Sequence, residues 1–316
     1  MLRVGEGKLD EAWQDLLACH RLGRLVACGG TIIEDLVGIA IDNRASAADL
    51  AYLERAKLTS KQVQDRLKDL QGLPPLLPIA DKIELVERLT FLDSMQLIRR
   101  GGLGMLEGPA GGQAKKPSPE ELKALESIDW EPALRHVNRW FDRQAAALRL
   151  KDRATRNKAL AKIQENLKAL NSDAVNLANA FKLIVGKDPP GKVVGNAIGD
   201  VLIRKMMPNV DKLSDARDRT EQAHRNLHVA FALAAYHGDH GRYPATLVEL
   251  VPKYLAAIPV DLFSDNSLVY HPGEKGYLFY SVGVNGIDEG GRWYDDDPRG
   301  DDQSVRMPLP ELKPKK

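Results

Sequence analysis

Along the first hundred residues the apolar positions recur three and four apart, the spacing of helices that bury one face. After Trp13, the positions Leu16, Leu17, His20 and Leu25 fall near one such stripe. Thr59 and Gln62 have the spacing of a capping box ahead of Val63, Leu67 and Leu70. Asp81 and Glu84 repeat that spacing ahead of Leu85, Leu89 and Leu92. Pro74, Pro75 and Pro78 punctuate between these helices. Gly30 to Ile41 reads as an amphipathic core helix whose apolar stretch ends at Asp42, Asn43 and Arg44. Ser118, Pro119 and Glu121 supply an N-cap, a first-turn proline and an N3 glutamate, so a helix restarts there. Residues 133–170 are also helical. A long helix then runs from Asn209 to about His237, with Leu227, Ala230, Phe231 and Ala234 as its stripe, and Gly238, Gly241 and Pro244 end it.

Beyond Pro244 the pattern changes. A short helix is expected over Leu247–Leu255. Two strands follow, Leu268–Tyr270 and Tyr277–Val282, joined by His271, Pro272 and Gly273. A long acidic loop and a last strand, Ser304–Met307, complete the chain. Helices first and antiparallel strands last predict a mainly α member of the α+β class. The expected organisation is a helical region 1–100, a Gly/Pro-rich linker 101–117, a second helical region 118–210, an α+β module 211–312 and a tail 313–316. Gly5 to Gly23 resembles one helical-repeat unit, but no second copy follows at a fixed period.

Composition narrows the functional classes. The 316 residues carry 45 Lys and Arg against 44 Asp and Glu, so no overall field calls for nucleic acid or an anionic membrane. Locally the charge is uneven, net +7 over 133–170 and net −5 over 286–302. The basic stretch lacks interleaved aromatic stacking platforms and reads as a solvated face, not a nucleic-acid site. No apolar run is long enough for a membrane helix, and no export signal is visible after Met1. The abrupt start at Gly5, Glu6 and Gly7 raises the expectation of a preceding piece of chain, a membrane anchor among the candidates. Cys19 and Cys28, nine apart, match no redox or metal spacing and read as small core residues.

Three motifs are set aside. Gly186 to Lys192 fits GxxxxGK, but Val193 stands where a phosphate loop needs Ser or Thr, and Pro189 and Pro190 remove amide donors. His224 and His228 are four apart on the long helix and could share a metal, but they flank its apolar stripe without an HExxH glutamate, so they read as packing histidines. Ser281 has no nucleophile-elbow context.

The last ninety residues carry the most information. Tyr236-His-Gly-Asp239-His-Gly241-Arg-Tyr243-Pro244 resembles the helix end Tyr-x-x-Asp-x-Gly-x-Tyr-Pro of type II secretion major pseudopilins. Pro259-Val260-Asp261-Leu262-Phe263 is similar to that family's Pro-x-Asp-Pro-Trp. Tyr277 to Gly286 is similar to its Tyr-x-Leu-Tyr-Ser-x-Gly-Ala-Asp-Gly, and an acidic glycine-rich loop follows in both. The resemblance covers about 222–308. The whole layout also looks like that of bacterial envelope proteins carrying this module.

In the pseudopilins this loop binds calcium. The resemblance therefore implies Ca2+, with Ser281, Asn285, Asp301 and Asp302 as ligands and Phe279 adding a backbone carbonyl. Calcium takes six to eight oxygens, so a charge-dense loop is a fitting donor set. Asn285 stands where the family has Asp, and the loop is longer by an insertion that holds Trp293 and Tyr294. The pilin's polymerising apolar helix does not carry over, because Asp211 to Gln222 is highly charged. The expected function is a non-enzymatic cell-envelope protein with a structural or interaction module and an unidentified protein partner. A cytoplasmic helical adaptor is the alternative, and a hydrolase built on the helical body is the third.

Overall fold

The computed structural model describes residues 2–101, 118–126, 128–170 and 192–310. The expected linker beyond Gly101, the 181–191 stretch and the 313–316 tail lie outside them. The fold is mainly α within the α+β class, 63% helical with one three-stranded antiparallel sheet near the C-terminus. Among the described residues, no helix is long and apolar enough to cross a membrane.

The chain divides into two compact units, and their boundaries cut across the consecutive regions expected from sequence. One unit joins residues 1–29, 33–76 and 215–316; the other holds 30–32 and 77–214. The N-terminal helices thus share a core with the C-terminal module.

In the first unit, α1 (Leu2–Gly5), α2 (Leu9–Ala27), α3 (Ile32–Arg55) and α4 (Ser60–Gln71) precede the long helix, labelled α11 (Val210–His240). The predicted capping box of α4 is present: Gln62 N donates to Thr59 Oγ1 at 3.3 Å, and Thr59 N donates to Gln62 Oε1 at 2.9 Å. Trp13 centres the core. Its ring lies 5.4 Å from Tyr52 on α3 and 5.8 Å from Phe231 on α11, and its Nε1 donates to Asp69 on α4 at 2.8 Å. Tyr52 donates to Leu9 O at 3.2 Å. α2 therefore runs antiparallel to both α3 and α11. The sheet, β1 (Val269–Pro272), β2 (Tyr277–Ser281) and β3 (Gln303–Met307), has β2 in the centre, with Phe279 opposite Tyr270 and Val305. Its buried Tyr277, Phe279, Val305 and Met307 belong to the same core as Trp13 and Phe231.

Two glycines set the distance between α2 and α3. A Cβ on Gly38 would lie 2.4 Å from Gly23 O and 2.5 Å from Ala27 N; one on Gly23 would lie 2.9 Å from Asp42 N. Each glycine costs its helix about 1 kcal/mol relative to alanine, a cost offset here by backbones that touch. This contact also explains why α3 does not stop at Asp42. Asp42 and Asn43 face polar partners on α2 and α11, with Asn43 Nδ2 donating to Thr220 Oγ1 at 3.3 Å.

The second unit has its own core. It comprises α5 (Ile79–Lys82), a π-helical turn (Ile83–Glu87), α6 (Arg88–Gly101), α7 (Pro119–Glu126), α8 (Trp130–Leu148), α9 (Arg153–Ala169) and α10 (Lys192–Met206). Phe91 and Phe141 meet edge to face at 5.5 Å among Ile83, Met95, Ile98, Val137, Leu160 and Leu202. Asp129 and Asp152 cap α8 and α9.

Several expectations need correction. Asp81 and Glu84 form no capping box, because α5 already begins at Ile79; both pair with Arg149 instead. The wide π turn shifts the face that follows, so Ile83, Phe91, Met95 and Ile98 are buried while Leu85 and Leu89 are exposed. On α2 the buried stripe runs through Ala12, Trp13, Leu17, His20, Gly23, Arg24 and Ala27. Leu25 is off that stripe and exposed. Cys19 and Cys28 are exposed too, Cys19 for the same reason and Cys28 as the residue closing the helix. The helix expected at 247–255 is a single 3-10 turn, Leu247–Leu250, since Pro252 lacks the amide needed to continue it. The basic stretch 133–170 is two helices whose cations are partly paired: Arg135 with Glu131, and Arg143 over the Trp140 ring at 4.7 Å.

Alanine in place of a helical glycine ordinarily stabilises by about 1 kcal/mol. At Gly38 the sign should reverse. Gly38→Ala must separate two backbones and is expected to cost about 1–3 kcal/mol, read as a lower urea midpoint. A higher midpoint would show that α2 and α3 do not pack this closely.

Candidate functional site

The helix-end motif of the C-terminal module is built from local bonds. Tyr236 donates to Glu249 Oε2 at 2.7 Å, and Glu249 Oε1 accepts from Ala245 N and Thr246 N at 2.7 and 3.1 Å. Asp239 accepts from Lys253 and from Tyr254 OH at 2.6 and 2.7 Å. Gly241 has a φ of +68° as α11 ends, a left-handed value that suits glycine. Tyr243 stacks on His237 at 4.6 Å, and Tyr270 donates to Pro244 O at 3.0 Å. These residues bind the 3-10 turn and β1 to the end of α11.

Of the five calcium ligands expected from the resemblance, three lie in the loop after β2 and where it returns to β3, and the Asp301 and Asp302 carboxylates have separate partners there. Asn285 N donates to Asp301 Oδ2 at 2.9 Å, and Asp302 follows in the chain. Glu289 ties both together, with Asp301 N donating to its carboxylate and its own N donating to Asp302 Oδ2 at 3.0 Å. Gly291 N also donates to Asp302 Oδ2, at 2.7 Å. Asp302 is fully buried, and its Oδ1 has no hydrogen-bond partner. Burial pushes its carboxyl above the ordinary range. Asp301 Oδ1 accepts from Arg219 at 3.3 Å, and Asn285 Oδ1 accepts from Ile287 N at 2.8 Å.

The other two expected ligands sit differently. Phe279 lies on the central strand between two ladders. Ser281 donates its hydroxyl to Asp261 Oδ1 at 2.7 Å. Asp261, fully buried, also accepts from Val282 N, Phe263 N and Ser264 Oγ at 2.9–3.0 Å. The pair fastens the 259–263 segment to the end of β2.

A second constellation lies where α2, α3 and α11 meet. His20 and Arg24 stand one turn apart on α2; Asp42 and Asp49 stand two turns apart on α3; His224 and His228 are on α11. His20 Nδ1 lies 2.5 Å from Asp42 Oδ1 and Nε2 lies 2.7 Å from Asp49 Oδ2, both at hydrogen-bond distance. His20, Asp42 and Asp49 are all fully buried. An ionised carboxylate only accepts, so a ring set between two of them is favoured as an imidazolium carrying both protons, in line with the raised imidazole. His224 Nε2 is 2.7 Å from Asp42 Oδ2, yet the two lack the alignment of a hydrogen bond. Arg24 approaches from the side, with Nη2 3.7 Å from Asp42 Oδ2 and 3.4 Å from His224 Nδ1, and its Nη1 donates to Pro74 O. A cleft of about 170 Å³ opens beside the group, lined among others by His20, Arg24, Glu221, His224, Arg225 and His228.

Burial alone would depress His20, but its bonds to Asp42 and Asp49 outweigh it, and the imidazole is raised to about 9. At Asp42 burial opposes ionisation, and the neighbouring His20, His224 and Arg24 overcome it, holding the carboxyl below its usual range. At Asp49 burial wins, and the carboxyl is raised. His228 is lowered to about 4, by burial first and by His224 and Arg24 second.

Sequence reading placed His224 on a packing face and missed its partners. The signal that could have found the group was a buried-stripe histidine, His20, on one helix, with Asp42 and Asp49 on one face of the next.

No family model, curated protein or solved structure matches this chain.

The two histidines load stability in opposite pH windows. His20 keeps a proton when folded that the unfolded chain releases, so stability falls as pH rises from 6.5 through about 9. His228 refuses a proton that the unfolded chain takes up, so stability falls as pH drops from 6.5 toward about 4. In protein freed of divalent ions, the urea midpoint is expected to peak near the shared value of 6.5. His228→Gln should flatten the acid side alone. A midpoint that climbs steadily to about pH 9 would contradict the His20 assignment.

Proposed function

We propose that this chain is a non-enzymatic cell-envelope protein whose C-terminal pseudopilin-like module is a structural and interaction domain stiffened by calcium. The observation that carries the reading is the Asp301–Asp302 corner. A fully buried carboxylate there, Asp302, keeps one oxygen without a partner, with Asp288 and Glu289 as its charged neighbours, in a loop of net charge −5. An unpaired buried carboxylate oxygen is costly, and a hard cation with oxygen ligands would offset that cost. Asp301, Asp302 and Asn285 are the side chains that would hold the ion, with backbone carbonyls and water completing the shell. Calcium would there compete with Arg219 for Asp301.

The course of α11 supports the interaction role. The helix runs from a charged first half, which includes Arg217 and Asp218, into a buried apolar half at Leu227–Tyr236, and then delivers the chain to the sheet. The module is thereby anchored on a helical body and leaves its loops for a partner protein.

Extracellular calcium modules bind with dissociation constants of about 0.1–1 mM. Calcium at about 10 mM should therefore stabilise the full chain by roughly 1–3 kcal/mol, a rise of several degrees in melting temperature, and Asp301→Asn should remove most of it. An unmoved melting temperature would contradict calcium binding. Recovery of the full-length gene product with the cytosol instead of the envelope would contradict the placement.

A further inference from the structure

We infer that His20, Asp42 and His224 form a binding site for one divalent transition-metal ion of the zinc and cobalt class, separate from the acidic loop. The three side chains come from three helices, and one ligand atom from each lies within 4.8 Å of the other two. Zinc bonds of about 2.0–2.2 Å place tetrahedral ligands roughly 3.4 Å apart. The hydrogen-bond-length contacts His20–Asp42 and Asp42–His224, 2.5 and 2.7 Å, need open by only about 1 Å to admit an ion.

The bonding of the group as it stands leaves a need that an ion would meet. Asp42 Oδ2 and His224 Nε2 are buried and face each other at short range without a hydrogen bond. With Arg24 Nη2 directed at His224 Nδ1, the ring proton now sits on Nε2 toward Asp42; when Arg24 withdraws and that proton moves to Nδ1, both facing atoms are lone-pair donors. A cation between them would satisfy both atoms at once. It would take the place of the proton on His20 Nδ1, which leaves to solvent, and of the Arg24 contacts to Asp42 and His224. Arg24 keeps its bond to Pro74 O and turns its other nitrogen to the cleft.

Asp49 completes the arrangement. It already accepts from His20 Nε2, so with Nδ1 on the metal it is the carboxylate behind a ligating imidazole that fixes ring orientation and raises ligand basicity. The remaining coordination positions face the cleft, where water or a small ligand would enter. Two imidazoles and one carboxylate select zinc-class ions, whereas calcium and magnesium prefer shells made wholly of oxygen. The site is therefore distinct in chemistry from the loop at 286–302.

Cobalt(II) is the probe, because its visible absorption reports coordination number and nitrogen ligation. Full-length chain stripped with a chelator should take up one equivalent of Co2+ and develop the visible band of a four- or five-coordinate ion. One equivalent of Zn2+ should abolish the band, and millimolar Ca2+ should not. His224→Ala is the decisive variant, since His224 is partly exposed and its loss leaves the His20–Asp42–Asp49 bonds in place; far-UV circular dichroism verifies its fold. It should weaken Co2+ binding by at least about tenfold, while His271→Asn, at an exposed histidine elsewhere, should bind as the parent does. No saturable band at about 1 mM Co2+, a band that calcium removes, or equal affinity in folded His224→Ala would each overturn the site.

Discussion

The architecture of the first unit depends on the approach of two helices at Gly23 and Gly38. With any larger residue there, α2 and α3 would stand farther apart, and His20 could not reach Asp42 at 2.5 Å and Asp49 at 2.7 Å together. That approach buries an imidazolium and two carboxylates in a three-helix seam. Burying such charges is expensive and is tolerated only when they are closely paired. The pairing in turn dictates what α11 must present: His224 beside Asp42, Thr220 beside Asn43 and Arg217 beside Asp35, all on the face toward α3.

This polar seam and the apolar core around Trp13 divide the work along the same helices. Toward one end, Trp13, Tyr52 and Phe231 supply nonspecific burial. Toward the other, the charged group admits one register, because sliding α2 by a turn would strand His20 and Arg24 against apolar surface. Register fixed at the seam then positions the sheet, since α11 carries the chain directly from His224 to the Tyr236–Pro244 corner and on to β1.

Much of this was legible in the sequence, for identifiable reasons. The helices of α4 and α11 followed from local signals: a reciprocal cap at Thr59 and Gln62, and glycine and proline after the last apolar turn. The strands followed from β-rich runs at 268–270 and 277–282. The partition into units was not legible, because it depends on which apolar faces find each other across more than two hundred residues, as Trp13 finds Phe231. Local chemistry also misled where a wider geometry prevailed. The π turn at Ile83–Glu87 redirected the face that Leu85 and Leu89 were expected to bury. Asp42 looked like the end of an apolar helix because its partner, His20, lies on another helix. Ser281 turned to Asp261, a residue that local spacing did not connect with it, and Asp302 turned to the amides of Glu289 and Gly291.

The central claim is that His20 is a doubly protonated ring clamped by Asp42 and Asp49. Nitrogen-15 NMR of the histidine side chains in metal-free protein near pH 7.5 tests it directly. Both ring nitrogens of His20 are expected to carry slowly exchanging protons at that pH, above the ordinary 6.5 and below its raised value of about 9. A single ring proton, with one nitrogen showing the shift of a bare imidazole acceptor, would contradict the clamp and the helix approach that produces it.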